Sequence, residues 1–482
     1  MLVALEYVMG VYGLSIAVTL LVARDRNNPL GLERPCEIYA LSWCSTFGKF
    51  PISFPVDQRV SFRASARSLF RHANRYITKR RRIVLTQAAH IFEGLSTFGQ
   101  MDAQTILIRL ALIGTGFLLI YLSARDILDP MVLMPMGLAM VLVNGATLTI
   151  EGKLANLFVD PMLADPEKVV NSMQIFFLQP IYNLMFSNGL IACLVFMGIG
   201  VITPLDYLIA SPLTSLLIAI GAELGSILTF PLAVGLGFNY KEAAAIAIVG
   251  GADGPMVLFT SLELAKKLFV PISVVAYVYL SITYALYPYM IKLIIPKSLQ
   301  GIAMDLHSIP KVSARQKLIF SVLAAAVLSI LFPVAAPLFA SFFIGVMVRE
   351  ADLPRYQRFL DEVMLTGSTF FLGFVLGALF SFYVVTDARV LLIMVLGLVS
   401  IILSGLGGIA SGLIAYKLSG GKINPLIGIA GVSCVPTTAK VAQKCALAAN
   451  KHAIILPFAM GPNVAGVITT AIIAGIYVGL LR

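Results

Sequence analysis

Ile248 to Pro255 reads IVGGADGP, a carboxylate set among three glycines and a proline inside an apolar run. AAAIA (243–247) precedes it and MVLF (256–259) follows, so the flanks suit lipid or a buried core while Asp253 suits neither. At mid-bilayer depth a charged carboxylate costs roughly 2.5–3.5 kcal/mol on insertion scales. The glycines and Pro255 interrupt a helix at the same place, which frees backbone carbonyls beside the carboxylate. The stretch therefore predicts a broken membrane segment in which Asp253 faces protein or water and serves function.

Composition widens this to the whole chain. Of 482 residues, 59% are hydrophobic and 12% charged, and mean hydropathy is +0.92, which leaves too little polar surface for a soluble protein. The expected fold class is all-α: a polytopic membrane protein with inverted repeats and two interrupted, re-entrant helical segments. The 39 glycines and 24 prolines suit helices that pack closely or break within the membrane. The net charge of +11 reads as cytoplasmic loops under the positive-inside rule and excludes no membrane class; it is not a nucleic-acid signal. Cys36, Cys44, Cys193, Cys434 and Cys445 show no metal or redox spacing and read as reduced thiols.

The chain reads as three regions. Residues 1–23 are an apolar N-terminal membrane anchor, lacking the basic start and cleavage site of a signal peptide. Residues 24–104 are a basic cytoplasmic region, in which Arg59, Arg63, Arg67, Arg71, Arg75 and Lys79 recur every fourth position. That stripe is either a solvated face that fixes topology or a surface for an acidic partner or anionic lipid. Residues 105–482 are nearly continuous membrane protein, with spans expected at 105–123, 131–148, 189–207, 211–237, 268–295, 318–348 (one bent span or two short ones), 362–384, 389–417 and 453–481.

Two segments, 241–261 and 424–444, are too interrupted for plain spans. AIVGGADGP (247–255) and GIAGVSCVP (428–436) share Ile, Gly and Pro at corresponding places. Paired interruptions in two halves point to a transporter site near the midplane. Ionisable and amide groups at membrane depth are few: Asn144, Glu223, Asp253, Asn424, Lys440, Lys444 and Asn463, with hydroxyls at Tyr277, Tyr279, Tyr284, Ser433, Thr437 and Thr438. NPLIG at Asn424 and GPNVAG at Gly461 set amide oxygens beside Gly and Pro, a mixture that suits a hard cation such as Na⁺. Tyr277 and Tyr284 read as packing or interfacial aromatics, Glu223 as a second pathway carboxylate or a structural glutamate, and Asn144 as an interhelical bond.

AAAIAIVGGADGPMVLFTS, VVAYVYL (274–280), GKINPLIGIAGVSCVPTTAKVAQK (421–444) and FAMGPNVAGVITTAIIAG (458–475) resemble the membrane β subunit of biotin-dependent sodium-translocating decarboxylases, the oxaloacetate, glutaconyl-CoA, methylmalonyl-CoA and malonate enzymes. The resemblance runs from about Asp129 to the C-terminus. It implies a sodium pump in the cell membrane that decarboxylates carboxybiotin and couples CO₂ release to Na⁺ export. It also implies partners: a carboxyltransferase and biotin-carrier α subunit, a small membrane γ subunit, and an oligomeric complex. No Met-Lys-Met biotin-attachment segment occurs here, so biotin is expected on a partner.

Carried onto matching positions, the family's Na⁺-site residues fall on Asp253, Asn424, Gly428, Ser433 and Asn463, with the ion held by Asp253, Asn424 and Asn463. Its tyrosine falls on Tyr279, and Lys440 stands where the family has arginine, so Lys440, Asp253 and Tyr279 are the expected catalytic residues. Met256 replaces a threonine, and LYPYM (286–290) replaces a Gln-Pro-Pro. Residues 1–104 do not match; an anchor followed by a basic region is similar to the γ subunit, which leaves a fusion open. On sequence physics alone a Na⁺/carboxylate symporter or Na⁺/H⁺ antiporter of similar architecture fits equally.

Overall fold

The computed structural model describes Thr97, Gly99 and residues 101–150, 153–156, 158, 177–305, 310, 312–381 and 388–482. The chain divides into two units, Met1–Ala88 and Ala89–Arg482, and the described residues all fall in the second. The expected anchor at 1–23, the basic stripe, Cys36 and Cys44 lie outside the described residues.

Helices dominate. The first half contains α1 (Ala103–Ala124), α2 (Pro130–Gly145), α3 (Leu190–Ile202), α4 (Pro212–Ala222) running through Glu223 into α5 (Leu224–Gly235), the short α6 (Tyr240–Ala247) and α7 (Gly254–Leu264), and α8 (Phe269–Ile294). The second half contains α9 (Ala314–Leu331), α10 (Ala336–Glu350), α11 (Thr366–Leu379), α12 (Ala388–Leu418), α13 (Thr437–Ala449) and α14 (Leu456–Leu481). A small antiparallel ribbon, Thr147–Ile150 with Lys153–Asn156, comes after α2. Among the described residues, eight helical stretches are long and apolar enough to cross a membrane; α2 is shorter, and α3 qualifies together with the bent segment before it. The expected span at 318–348 is two helices, because Pro333 and Pro337 follow the end of α9 and set a new helix start.

Both interrupted segments are hairpins that return to the face they entered from. α6 starts and α7 ends beside the C-terminus: Lys241 Nζ donates to the Arg482 carbonyl at 3.2 Å, and Arg482 Nε lies 3.4 Å from Glu263. The second hairpin, Pro425–Gly431 in tight helical turns followed by α13, is tied at both ends to the other face. Asn424 Nδ2 donates to the carbonyls of Gln300 (3.0 Å) and Ile302 (2.8 Å), and Asn450 Nδ2 donates to that of Gly301 (2.8 Å). α8 spans from one face to the other, so the hairpins enter from opposite sides. Their tips meet where Ser433 donates to the Gly251 carbonyl, from its amide at 3.1 Å and from Oγ at 2.6 Å.

The halves are inverted. Each runs four spanning elements, a re-entrant hairpin and a last span. α1 begins on the Arg482 face, since Arg109 near its start reaches the Asn144 carbonyl at the end of α2 (3.4 Å) and Asn144 Nδ2 reaches the Phe380 carbonyl just before α12 (3.1 Å). α9 begins on the Gly301 face, where Lys317 bridges Asp206 (2.8 Å) and Glu350 (3.1 Å). The second span of each half packs on the third of the other through glycines. Gly373 and Gly377 of α11 lie against the Val132 and Met136 carbonyls of α2, and Gly200 of α3 lies against the Phe342 carbonyl of α10. Dispersion at such close approach replaces the hydrophobic drive that lipid cannot supply.

Candidate functional site

Local sequence explains each break. α6 starts on a reciprocal cap, in which the Asn239 side chain accepts from the Glu242 amide and the Glu242 carboxylate accepts from the Asn239 amide. It stops at Gly250–Gly251, where the chain passes so close to its neighbours that a Cβ at Gly250 would lie 2.5 Å from the Ser226 nitrogen and one at Gly251 would lie 2.5 Å from Thr470. Ala252 then takes φ 53°, and Asp253 becomes the N-cap of α7, its Oδ1 accepting the Met256 amide at 3.2 Å. Because the contact uses the Met256 backbone, the departure from threonine leaves the cap intact. In the second hairpin Gly428 lies against the Gly408 carbonyl and within 2.6 Å of the Gly412 Cα, counted from its hypothetical Cβ. Its role is to let the hairpin touch α12.

A cavity of about 980 Å³ is bounded by both halves and reaches the Gly301 face. Asp253, Tyr277, Ser433, Cys434 and Lys440 line it together. Asp253 is 4% exposed, whereas Lys440, in the first turn of α13, is exposed. The structure thus brings together the carboxylate, the cation and the hairpin tips, which chain positions nearly 190 residues apart (253 to 440) did not guarantee.

The amides separate. Asn463 sits at 0% exposure and donates through Nδ2 to the carbonyls of Ala430 (2.8 Å) and Val432 (3.2 Å) and to Thr438 Oγ1 (3.0 Å), next to the second tip. Its Oδ1 is buried and has no hydrogen-bond partner among the described residues. An orphaned amide oxygen beside a tip of freed carbonyls fits a hard cation. Asn424 stands apart from the tips: both ends of its amide are used at the base of the hairpin, Nδ2 on Gln300 and Ile302 and Oδ1 accepting the Leu426 amide (2.9 Å). Seven residues of tight helical turn (Pro425–Gly431) rise roughly 14 Å from that base toward the tip. Gly428 likewise contributes packing. Ser433 stays with the site, its hydroxyl also 3.0 Å from Thr470 Oγ1.

Tyr279 is engaged elsewhere in the same way. Its hydroxyl donates to the Met394 carbonyl of α12 at 2.7 Å, on the side of α8 away from Asp253. Two positions on a helix are about 200° apart, so Tyr277 instead faces the site: its ring lies against Gly254, and its buried hydroxyl has no partner among the described residues. The sequence reads Tyr277 as packing, and the signal that escapes such a reading is the choice of helix face. Glu223, at the α4–α5 junction, is 2% exposed and accepts from Ser226 (2.6 Å), Thr470 and, at 3.5 Å, Thr469. Through Thr470 and Ser433 it is linked to both tips. Thr470 stands seven residues after Asn463, on the same helix face, a spacing that could have flagged it.

These placements give opposite expectations for the two amides. Asn463→Ala removes the free oxygen, and losing about 1.4 kcal/mol of ion binding is a tenfold change, so half-saturating Na⁺ is expected to rise about tenfold. Asn424→Ala leaves the buried Gln300 carbonyl unpaired at about 1–3 kcal/mol and the half-buried Ile302 carbonyl without its donor; it is expected to lower thermal stability in detergent while leaving half-saturating Na⁺ in the folded protein unchanged. Na⁺ titrations of both variants against their melting curves check this, and a normal titration for Asn463→Ala removes it from the ion site.

Comparison with known proteins agrees with the geometry. Residues 108–481 match the family described as the Na⁺-transporting oxaloacetate decarboxylase beta subunit. The chain is 46% identical over 398 residues to the carboxybiotin decarboxylase of Malonomonas rubra, covering 82% of this chain and 99% of the relative. It is 36% identical over 289 residues to the methylmalonyl-CoA decarboxylase subunit beta of Veillonella parvula (60% of this chain, 77% of the relative). It is 35% identical over 302 residues to the oxaloacetate decarboxylase beta chain of Klebsiella pneumoniae (61% and 69%). With two opposed hairpins closing on a buried carboxylate and a family match that spans nearly all of the second unit, the chain belongs to the Na⁺-transporting oxaloacetate decarboxylase beta subunit family.

Proposed function

We propose that this chain takes carboxybiotin from a partner's biotin carrier, releases CO₂ in the cavity, and exports Na⁺ through the point where the hairpin tips meet. The observation that carries the reading is the sharing of one cavity by Asp253 and Lys440. Asp253, Asn463 and Ser433 form the ion site. Lys440 offsets the negative charge of the substrate and of the transition state. As the N–CO₂⁻ bond breaks, its electron pair stays on the ureido nitrogen, which takes the proton released by Asp253. Asp253, left charged, accepts Na⁺ from the cytoplasm. Either cation neutralises the carboxylate, so no bare charge crosses low dielectric. A proton from the outer side replaces Na⁺ on Asp253 as the ion leaves, so the exchange moves no net charge, and CO₂ release drives it because both events use the same carboxylate.

The Gly301 face is the cytoplasmic one in this reading. It carries Lys292, Lys297, Arg315, Arg349, Arg355, Arg358, Lys417, Lys422 and Lys451, against Lys241, Lys266, Lys267, Arg389 and Arg482 on the other. Asp102, at the start of α1, then lies on the outer side, at odds with the cytoplasmic placement expected for residues 24–104. The membrane is the cell membrane, and the partners are a carboxyltransferase and biotin-carrier α subunit and a small γ subunit within an oligomeric complex. The γ role is open to fusion at the N-terminus.

Reconstitution tests all of this together. In proteoliposomes, carboxybiotin added outside is expected to drive ²²Na⁺ uptake only through molecules whose Gly301 face points outward, with a biotinylated partner detected by avidin in the native complex. CO₂ release without ²²Na⁺ movement, or no CO₂ release, sinks the proposal.

A further inference from the structure

The cavity holds a second cation. Arg349, in the last turn of α10, lines it together with Lys440, although the two are about 90 positions apart (349 and 440) in the same half of the chain. Its ion pairing is weak: Nε lies 3.7 Å from Glu350 Oε1, at the edge of an ionic contact. Glu350 is better engaged with Lys317, at 3.1 Å. The terminal nitrogens of Arg349 have no hydrogen-bonding partner among the described residues, and its side chain is 33% exposed. The guanidinium therefore lines the cavity with only the long Glu350 contact to compete for it. That unused fork is unusual beside the cavity's acidic neighbours.

Asp126, Asp129 and Asp361 line the same cavity, and Asp253 sits deeper. The three outer carboxylates, Asp126, Asp129 and Asp361, repel an anionic guest, so an anion enters only where a cation offsets them. Lysine provides a compact charge, whereas a planar carboxylate is gripped by two parallel bonds from a guanidinium. Lys440 lacks that geometry. Arg349 has it.

Resting on the decarboxylase reading, we propose that Arg349 binds the carboxylate of incoming carboxybiotin with its fork, while Lys440 acts on the charge that develops as CO₂ leaves. Arg349 is a substrate-binding residue and takes no part in proton transfer. The division follows from the chemistry: the planar carboxylate exists before the bond breaks and is gone afterwards as neutral CO₂. While the bond is breaking the two oxygens still carry charge, so a grip on them holds the bound substrate and the transition state about equally. Removing it should raise KM and leave kcat nearly intact.

The test uses the full-length chain in detergent with N-carboxybiotin methyl ester, whose only carboxylate is the one at issue. Binding is measured by titration calorimetry without Na⁺, and turnover is measured separately with Na⁺. Arg349→Gln is expected to raise both Kd and KM about tenfold or more, kcat falling less than threefold. Arg349→Lys, which keeps the charge and the fold, is expected to lose about threefold to tenfold in binding because the fork is gone. Glu350→Gln, which removes the weak Arg349 contact along with the bridge to Lys317, is expected to bind normally. Unchanged Kd in Arg349→Gln, or in Arg349→Lys should the glutamine variant not fold, overturns the inference and leaves the decarboxylase reading standing. A kcat loss with KM unchanged overturns it equally. If the unaltered chain neither binds nor turns over the ester, the functional reading falls and the inference falls with it.

Discussion

Asp253→Asn is expected to abolish Na⁺-dependent decarboxylation, lowering turnover at least 1,000-fold, about 4 kcal/mol. The amide is close in size and keeps an oxygen to accept the Met256 amide, so the cap on α7 survives. What it loses is ionisation: it can neither release a proton to the ureido nitrogen nor carry a charge for Na⁺ to neutralise. Asp253→Glu keeps the acid but lengthens it by one methylene in a site 4% exposed, so partial activity is expected, with weakened Na⁺ affinity. Both variants should be purified with unchanged melting temperature and assayed for CO₂ release and ²²Na⁺ uptake in proteoliposomes. Na⁺-coupled turnover retained in the asparagine variant removes Asp253 from the mechanism.

Lys440→Gln is the second large effect, a fall in kcat of about 100-fold or more. Lys440 is exposed within the cavity and makes no ion pair among the described residues, so its removal costs little stability. The family resemblance alone implies that Lys440→Arg preserves or improves activity by restoring a fork. With Arg349 already lining the cavity, Lys440→Arg is expected only to preserve activity. Na⁺ binding should be retained in Lys440→Gln or slightly tightened, because a like charge near the ion is gone. Stopped-flow CO₂ release and Na⁺ protection against heat separate the two effects. A Lys440→Gln chain that releases CO₂ at the original rate excludes the role.

Gly and Pro beside Asp253 announce the first hairpin because a membrane helix has no other reason to carry that combination. GIAGVSCVP announces the second by its likeness to the first. Span positions are readable because roughly twenty apolar residues must cover the hydrocarbon core. The exceptions have local causes: prolines divide 318–348, and Pro130 starts α2 at once.

The site is legible in residue type and only partly in membership. Asp253, Ser433, Asn463 and Lys440 can be named because polar groups at membrane depth are few and each needs a reason. Asn424 meets the same criterion yet holds the hairpin base, since an amide satisfies two backbone carbonyls as readily as it ligates an ion. Tyr279 and Tyr277 differ only in which side of α8 they occupy, and a helix apolar all round gives no sign of that. Arg349 has the sequence surroundings of an ordinary loop-flanking cation.

Composition, period and interruption thus settle a helical membrane protein with two broken segments and a carboxylate that must matter, because those properties depend on what each stretch can place in lipid. Which face each hairpin enters, that their tips meet at Gly251 and Ser433, which tyrosine turns toward Asp253, and that Arg349 shares a cavity with Lys440 are set by long-range packing. Those contacts join residues tens to hundreds of positions apart, through glycine-lined helix approaches whose partners no local pattern encodes.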